Sequence, residues 1–226
     1  MQISLRTLLR LHVEAVWDVR FPPIDDQTYD ITLLAEAHQP FWRLLLASTA
    51  VGLIAVWHPD CVLPARRAKL YARAVDTLQL LPDAELPSDV SAEIAHVHEQ
   101  KVIAPYQAVP LTLEHQALVE QYEPGSIAYY YDPACLPLLG IVQDGRLVSI
   151  AHSSRRTSEA CELGLETLPA ARRQGFGLAA TLAWTEAVQQ EGLQPLYSAL
   201  IHNQASLSQA RAAGYRSFAR VVTVMD

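Results

Sequence analysis

Between Glu162 and Ala187 the chain reads ELGLETLPAARRQGFGLAATLAWTEA. Two adjacent arginines, Arg172 and Arg173, precede a pair of glycines, Gly175 and Gly177, and a helix-like run follows. Glycine has no Cβ, so backbone N–H groups there can close around an anion without steric cost. The N-terminus of the next helix adds unpaired N–H donors and a partial positive charge. The guanidinium groups add full charges at the loop mouth. This is the chemistry of holding a diphosphate, and it implies a phosphate-bearing cofactor.

Two other phosphate motifs fit the same letters less well. Gly175-x-Gly177-x-x-Ala180 matches the spelling of a dinucleotide-binding fingerprint. That motif follows its strand directly, whereas residues 169–174 intervene here. It also needs an acid at the end of the next strand, where His202 and Asn203 stand instead. A Walker-type phosphate loop is excluded, since no Gly-Lys-Ser/Thr string occurs. The plain alternative is a basic helix cap with glycine packing.

Other reactive side chains carry weaker signals. His96 and His98 are expected on a helix, where residues two apart face different sides and cannot share an ion. No metal is therefore expected. His152 and His202 fall near strand ends, each either a base near neutral pH or a satisfied edge histidine. Cys161 has no activating neighbour in sequence and reads as a small apolar filler. Tyr129, Tyr130 and Tyr131 either line an acceptor pocket or alternate along a strand with one of them buried.

With 226 residues, half of them hydrophobic and 18% charged, the chain is long enough for one large soluble domain or two small ones. A net charge of −7 argues against bulk nucleic-acid binding, so any anion site must be local. Acidity suits a cationic substrate and equally suits solubility. Cys61, Cys135 and Cys161 are scattered and odd in number, which makes neither a disulfide framework nor a metal clasp and points to a reducing compartment. Arg6, Arg10, His12 and Glu14 interrupt the N-terminal segment, which lacks a signal-peptide apolar stretch. The most apolar run, residues 44–57, is shorter than the roughly 20 residues a bilayer requires. A cytoplasmic protein without membrane contact is the expectation.

The elements that must position the glycine loop can be read from periodicity. Residues 44–48 and 51–57 form two buried strands, and residues 63–81 a helix with Leu70, Ala74, Leu78 and Leu81 at helical spacing. A second helix is predicted over 90–101, capped by Ser88 or Asp89. Beyond residue 105 the pattern predicts a helix over 112–121 and strands over 126–131, 136–143, 146–153 and 160–168. The turn between the second and third of these is at Asp144-Gly145. A helix over 176–190 ends at Gly192. A strand over 196–202, a helix over 204–213 and a strand over 220–225 complete the chain.

This order of elements, with three local motifs, resembles the GNAT superfamily of acyl-CoA-dependent N-acyltransferases over roughly residues 105–226. The first motif is Arg172-Arg173-Gln174-Gly175-Phe176-Gly177, in the place of the family's [Q/R]-x-x-G-x-[G/A] loop. The second is Asn203 within N-Q-A-S. The third is the helix ending Ala210-Arg211-Ala212-Ala213-Gly214-Tyr215. The resemblance implies an α/β fold of the α+β kind: a mixed, mostly antiparallel sheet flanked by helices. It implies acetyl-CoA as co-substrate, with no metal, and an amine on a small molecule or peptide as acceptor. Carried over by position, the backbone of Leu165, Glu166 and Thr167 would pair with the pantetheine arm. The loop from Arg172 through Arg173, Gln174, Gly175, Phe176 and Gly177 to Leu178 would hold the pyrophosphate, and Asn203 and Ser206 would meet the pantetheine or adenosine side.

One departure concerns catalysis. Many relatives carry a tyrosine four residues before the helix-ending glycine as acid for the leaving thiolate, and Ala210 stands there. Tyr215 and Ser208 are the nearby substitutes. Glu162 is the first choice as base, with a carboxylate hydrogen-bonded on a sheet face as the plain alternative. Residues 1–104 form an extra N-terminal α/β region without a recognisable motif. It either covers the acceptor side, mediates homodimerisation, or is a second copy lacking the glycine loop. A non-catalytic acyl-CoA-binding module is the contrasting reading of residues 105–226.

Overall fold

The computed structural model describes residues 3–80 and 84–225. The chain divides into two compact units, one of Met1–Val97, Ser198–Leu207 and Ser217–Asp226, the other of His98–Tyr197 and Ser208–Arg216. In chain order the first stretch runs α1 (Leu5–Trp17), β1 (Asp30–Thr32), β2 (Leu44–Thr49), β3 (Gly52–Trp57), α2 (Pro64–Gln79) and β4 (Val90–His98). It is followed by β5 (Val109–Pro110), α3 (Gln116–Tyr122), α4 (Ile127–Tyr130), β6 (Leu139–Gln143), β7 (Arg146–Arg156), β8 (Ala160–Thr167), α5 (Phe176–Gln190), β9 (Gln194–Leu200), α6 (Gln204–Ala212) and β10 (Tyr215–Val224).

In the first unit the strand order is β1-β3-β2-β10-β4. β1 runs parallel to β3, while β2 is antiparallel to both β3 and β10. Leu44 and Leu46 of β2, with Ala55 and Trp57 of β3, bury against Leu70 and Ala74 of α2. The helical spacing of Leu70 and Ala74 therefore reports their shared buried face; Leu81 lies outside the described residues. α1 has no expected counterpart; Ser4 caps it by accepting the Thr7 N–H at 3.2 Å, and its apolar stripe is buried.

In the second unit the order is β9-β8-β7-β6-β5, antiparallel except for the parallel β8–β9 pair. α5 covers one face, packing Phe176, Ala179, Ala180, Trp184 and Val188 on Leu139, Ile141, Ala151 and Cys161. α3 and α4 cover the other, with Val119 and Tyr130 against Leu147 and Ile150. The sheet is mixed and mostly antiparallel, flanked by helices. The β6–β7 turn is at Asp144 and Gly145, both at positive φ, 50° and 75°. The three cysteines are free and buried.

Two expected elements are corrected. Residues 90–98 form strand β4, not a helix. Alanine and glutamate there favour helix weakly, but Val90 and Ala92 bury on a sheet face, and tertiary packing outweighs that propensity. On a strand, residues two apart share a face, so the helical argument separating His96 from His98 does not hold. Even so, the described residues contain no group of three or more His, Cys, Asp or Glu able to hold a metal ion. Residues 127–130 form helix α4 rather than a strand. A short aromatic run cannot be told apart by period alone, and Ser126 turns the chain by donating its hydroxyl to the Glu123 carbonyl at 2.6 Å. No helix among the described residues is long and apolar enough to cross a membrane.

Candidate active site

The glycine loop is a sharp reversal between β8 and α5. Gly175 caps α5 with φ 87°, a conformation that costs any L side chain energy. Arg173 is also left-handed, at φ 59°. A Cβ on Gly175 would stand 3.2 Å from Pro105 Cγ and 3.4 Å from the Tyr106 ring, and Tyr106 packs at a tilt against Phe176 with centroids 4.7 Å apart. One on Gly177 would stand 3.1 Å from Thr167 Oγ1. The loop thus lies tight against β8 and the 105–106 segment. The first-turn N–H groups of α5, from Phe176 onward, have no carbonyl four residues back to reach. Arg172 donates from Nε to the Thr167 carbonyl at 3.2 Å, Gln174 donates to the Ala170 carbonyl at 3.0 Å, and both side chains are exposed with Arg173. The result is a turn of backbone donors beside two exposed arginines, Arg172 and Arg173, the kind of feature that can receive an anion.

β8 and β9 pair only at Ala160↔Gln194, Cys161↔Pro195 and Glu162↔Leu196. Beyond Glu162 and Leu196 the two strands no longer pair with each other, while β8 runs on to Thr167 paired only with β7. The strands part there, and the backbone of Leu163 to Thr167 on the β9 side is left for another chain of amides. Leu165, Glu166 and Thr167 occupy this stretch, with Thr167 fixed by Ser149 Oγ at 2.8 Å. Glu162, buried, is the last β8 residue before the parting.

Across β7 and β8 the register puts His152 opposite Gly164 and Ile150 opposite Glu166. Cys161, Leu163 and Leu165 face α5, so Glu162, Gly164 and Glu166 line the α3–α4 face. There Tyr130 donates its hydroxyl to Glu123 Oε2 at 2.7 Å, and the His152 ring packs edge-on to Tyr129 and Tyr130. Burial, then the charge of Glu123, raises the Glu166 carboxyl above its ordinary value. Burial likewise raises the Tyr122 hydroxyl, which feels Glu166 and Glu123. Sequence reasoning left Glu123 unremarked, because nothing local to it signals that α3 delivers it to the face of β8.

Tyr215 is buried and its hydroxyl is engaged in the core. Thr185 Oγ1 donates to the Thr181 carbonyl at 2.8 Å, so the 2.6 Å contact between Thr185 Oγ1 and Tyr215 Oη has tyrosine as donor. Burial first, and then the charge of Glu162, raises the Tyr215 hydroxyl further out of its usual range. Ala210 is fully buried. Asn203 caps α6, accepting the Ser206 N–H at 3.1 Å. Gly214, after α6, approaches the chain so closely that a Cβ would lie 2.1 Å from the Gln100 carbonyl oxygen.

Residues 139–220 match the family model of GNAT acetyltransferases. This stretch is a GNAT acetyltransferase domain. An acetyltransferase of the GNAT family from Colwellia psychrerythraea shares the fold at a TM-score of 0.53 and 15% identity, covering 76% of each chain. A GNAT-family protein from Novosphingobium aromaticivorans aligns at a TM-score of 0.47 and 19% identity over 62% of this chain and 68% of its own. A tandem GNAT protein from the clavulanic acid biosynthesis pathway aligns at 0.46 and 15% over 91% and 78%. No protein of curated function matches the chain. Within the GNAT domain the motif residues at 172–177 form the loop just described, and the family-like helix ending at Gly214 is enforced by the contact with Gln100.

Proposed function

We propose that the GNAT domain moves an acetyl group from acetyl-CoA to an amine by direct attack. The observation that carries this reading is the parting of β8 from β9 after Glu162, directly upstream of the donor cradle at residues 173–178. An amide-bearing arm can pair with Leu165, Glu166 and Thr167 while its diphosphate end rests on the loop N–H groups.

In the reaction the amine nitrogen attacks the thioester carbonyl carbon. A C–N bond forms, the C–S bond breaks, and the pair of electrons leaves on the thiolate. Backbone N–H groups freed at the parting can stabilise the oxyanion. Glu162, at the end of the paired segment, is proposed to take the proton that the amine must lose. Tyr215 is the nearest candidate donor to the leaving sulfur, but its proton is held by Thr185 in the core, so the sulfur is expected to leave as the thiolate. A thiolate departs readily without full protonation.

The buried Ala210 and the engaged Tyr215 hydroxyl favour one competing reading, a domain that binds acyl-CoA without turnover. Calorimetric titration with acetyl-CoA, with NAD and ATP as controls, tests the shared part of both. Selective micromolar binding of acetyl-CoA is expected, and free-thiol release on adding amines then separates catalyst from binder. Preference for NAD, or no binding, overturns the acyl-CoA reading.

A further inference from the structure

We infer that the acceptor is an amine carrying a second cationic group, held between Glu123 and Glu166 on the α3–α4 face of β8. This rests on the acyl-transfer reading above and names the substrate class for it. Along that face the residues follow one another in the order Glu162, Gly164, Glu166. The strands part just beyond Glu162, so the reacting nitrogen belongs at that inner end. Glu166 stands two to four residues further out, roughly 7–13 Å along an extended strand. A molecule with one nitrogen at the parting and another cation at that separation spans the face.

Three observations fit a cation at the outer end. Glu123 uses Oε2 to accept from Tyr130, which fixes the carboxylate. Tyr122 and Tyr129, both within electrostatic reach of Glu166, supply aromatic surface on this face, and a cation over such faces gains further attraction. The third is His152, 4% exposed and enclosed by Tyr129 and Tyr130 at centroid distances of 5.4 and 5.1 Å. Its Nδ1 is buried and makes no hydrogen bond of good geometry. A buried ring nitrogen without a partner is costly, and an N–H of a bound amine would satisfy it. Tyr129, 47% exposed, is the wall that must yield to admit one. Burial lowers His152 below its ordinary value, against the opposing charge of Glu123 and with that of Arg155. A neutral ring accepts from a cationic chain and does not repel it.

Spermidine, with n-butylamine as the control bearing one cation, is the probe pair, and thiol release from acetyl-CoA is the readout. In the parent, kcat/KM for spermidine is expected to exceed that for n-butylamine by about tenfold or more, the scale of one charge-assisted hydrogen bond. Glu123→Gln and Glu166→Gln should each shrink that ratio, chiefly through KM for spermidine. Acetyl-CoA affinity, measured in parallel by calorimetry, separates the two levels. A parent that binds acetyl-CoA but turns over neither amine, or both alike, overturns the clamp alone. So does a ratio unchanged in both variants. Failure to bind acetyl-CoA overturns the acyl-transfer reading beneath it.

Discussion

The His152 ring lies directly over Gly164: a Cβ on that glycine would stand 2.3 Å from Nε2 and 2.5 Å from Cε1. The ring cannot retreat easily, because Tyr129 and Tyr130 wall its other side. Gly164→Ala therefore has to push a packed side chain or shift β8. Overpacking of this kind costs about 1–3 kcal/mol, or a fall in Tm of several degrees at roughly 2–4 °C per kcal/mol. Thermal unfolding checks it. A Tm equal to the parent's would mean that the ring moves freely and that the face is looser than its contacts indicate.

Gly175→Glu is expected to abolish acetyl-CoA binding. It places bulk and negative charge in the donor cradle, at a position already 3.2 Å from Pro105 and at φ 87°. The backbone strain alone costs about 1–2 kcal/mol, so Gly175→Ala serves as the companion variant that carries the strain without the charge. Calorimetry on both, with thermal melts to verify folding, reads the outcome. If the glutamate variant binds acetyl-CoA as tightly as the parent, the diphosphate does not sit at this loop.

Much of this site is legible in sequence because its parts are local. The glycine loop, the helix over 176–190 and the strand before it are contiguous, so letter spacing alone places them. The α3–α4 face is not contiguous. Glu123, Tyr129, His152 and Glu166 meet through β7–β8 register and helix packing, and neither is written in any one segment. The bulge between Ser153 and Arg155 also resets the pairing of β7 with Glu162, which no alternation pattern reveals. β4 was masked by helix-favouring alanine and glutamate, whose small preferences yield to a buried sheet position.

Glu162→Gln should lower kcat by about 100-fold or more if Glu162 takes the amine proton, the usual scale of general-base catalysis. Acetyl-CoA affinity should hold, since the pairing backbone lies at Leu165 to Thr167. A rate unchanged across pH removes Glu162 from the reaction.

Tyr215→Phe separates a catalytic hydroxyl from a structural one. The proton of Tyr215 rests on Thr185 Oγ1 inside the core, so the variant is expected to lose about 1 kcal/mol of stability and to keep kcat within about threefold. A loss approaching 100-fold in kcat, the scale of general-acid catalysis, would instead assign Tyr215 to protonation of the leaving sulfur.

Stability should fall on acidification, and His152 should account for part of the fall. Burial lowers the imidazoles of His152, His98 and His58 from the ordinary 6.5. The unfolded chain then binds more protons than the folded one once pH drops to about 6.5, so stability decreases as pH falls further. The stabilising contribution is complete above that value and is lost as pH passes through the lowered folded values. Glu166 opposes the trend nearer its own range, because a raised carboxyl favours the folded state on protonation. Melting temperatures of the parent and His152→Gln between about pH 8 and pH 5 test the assignment. The variant should show a shallower decline, and a slope identical to the parent's would mean that His152 takes up its proton in the folded protein as readily as in the unfolded chain.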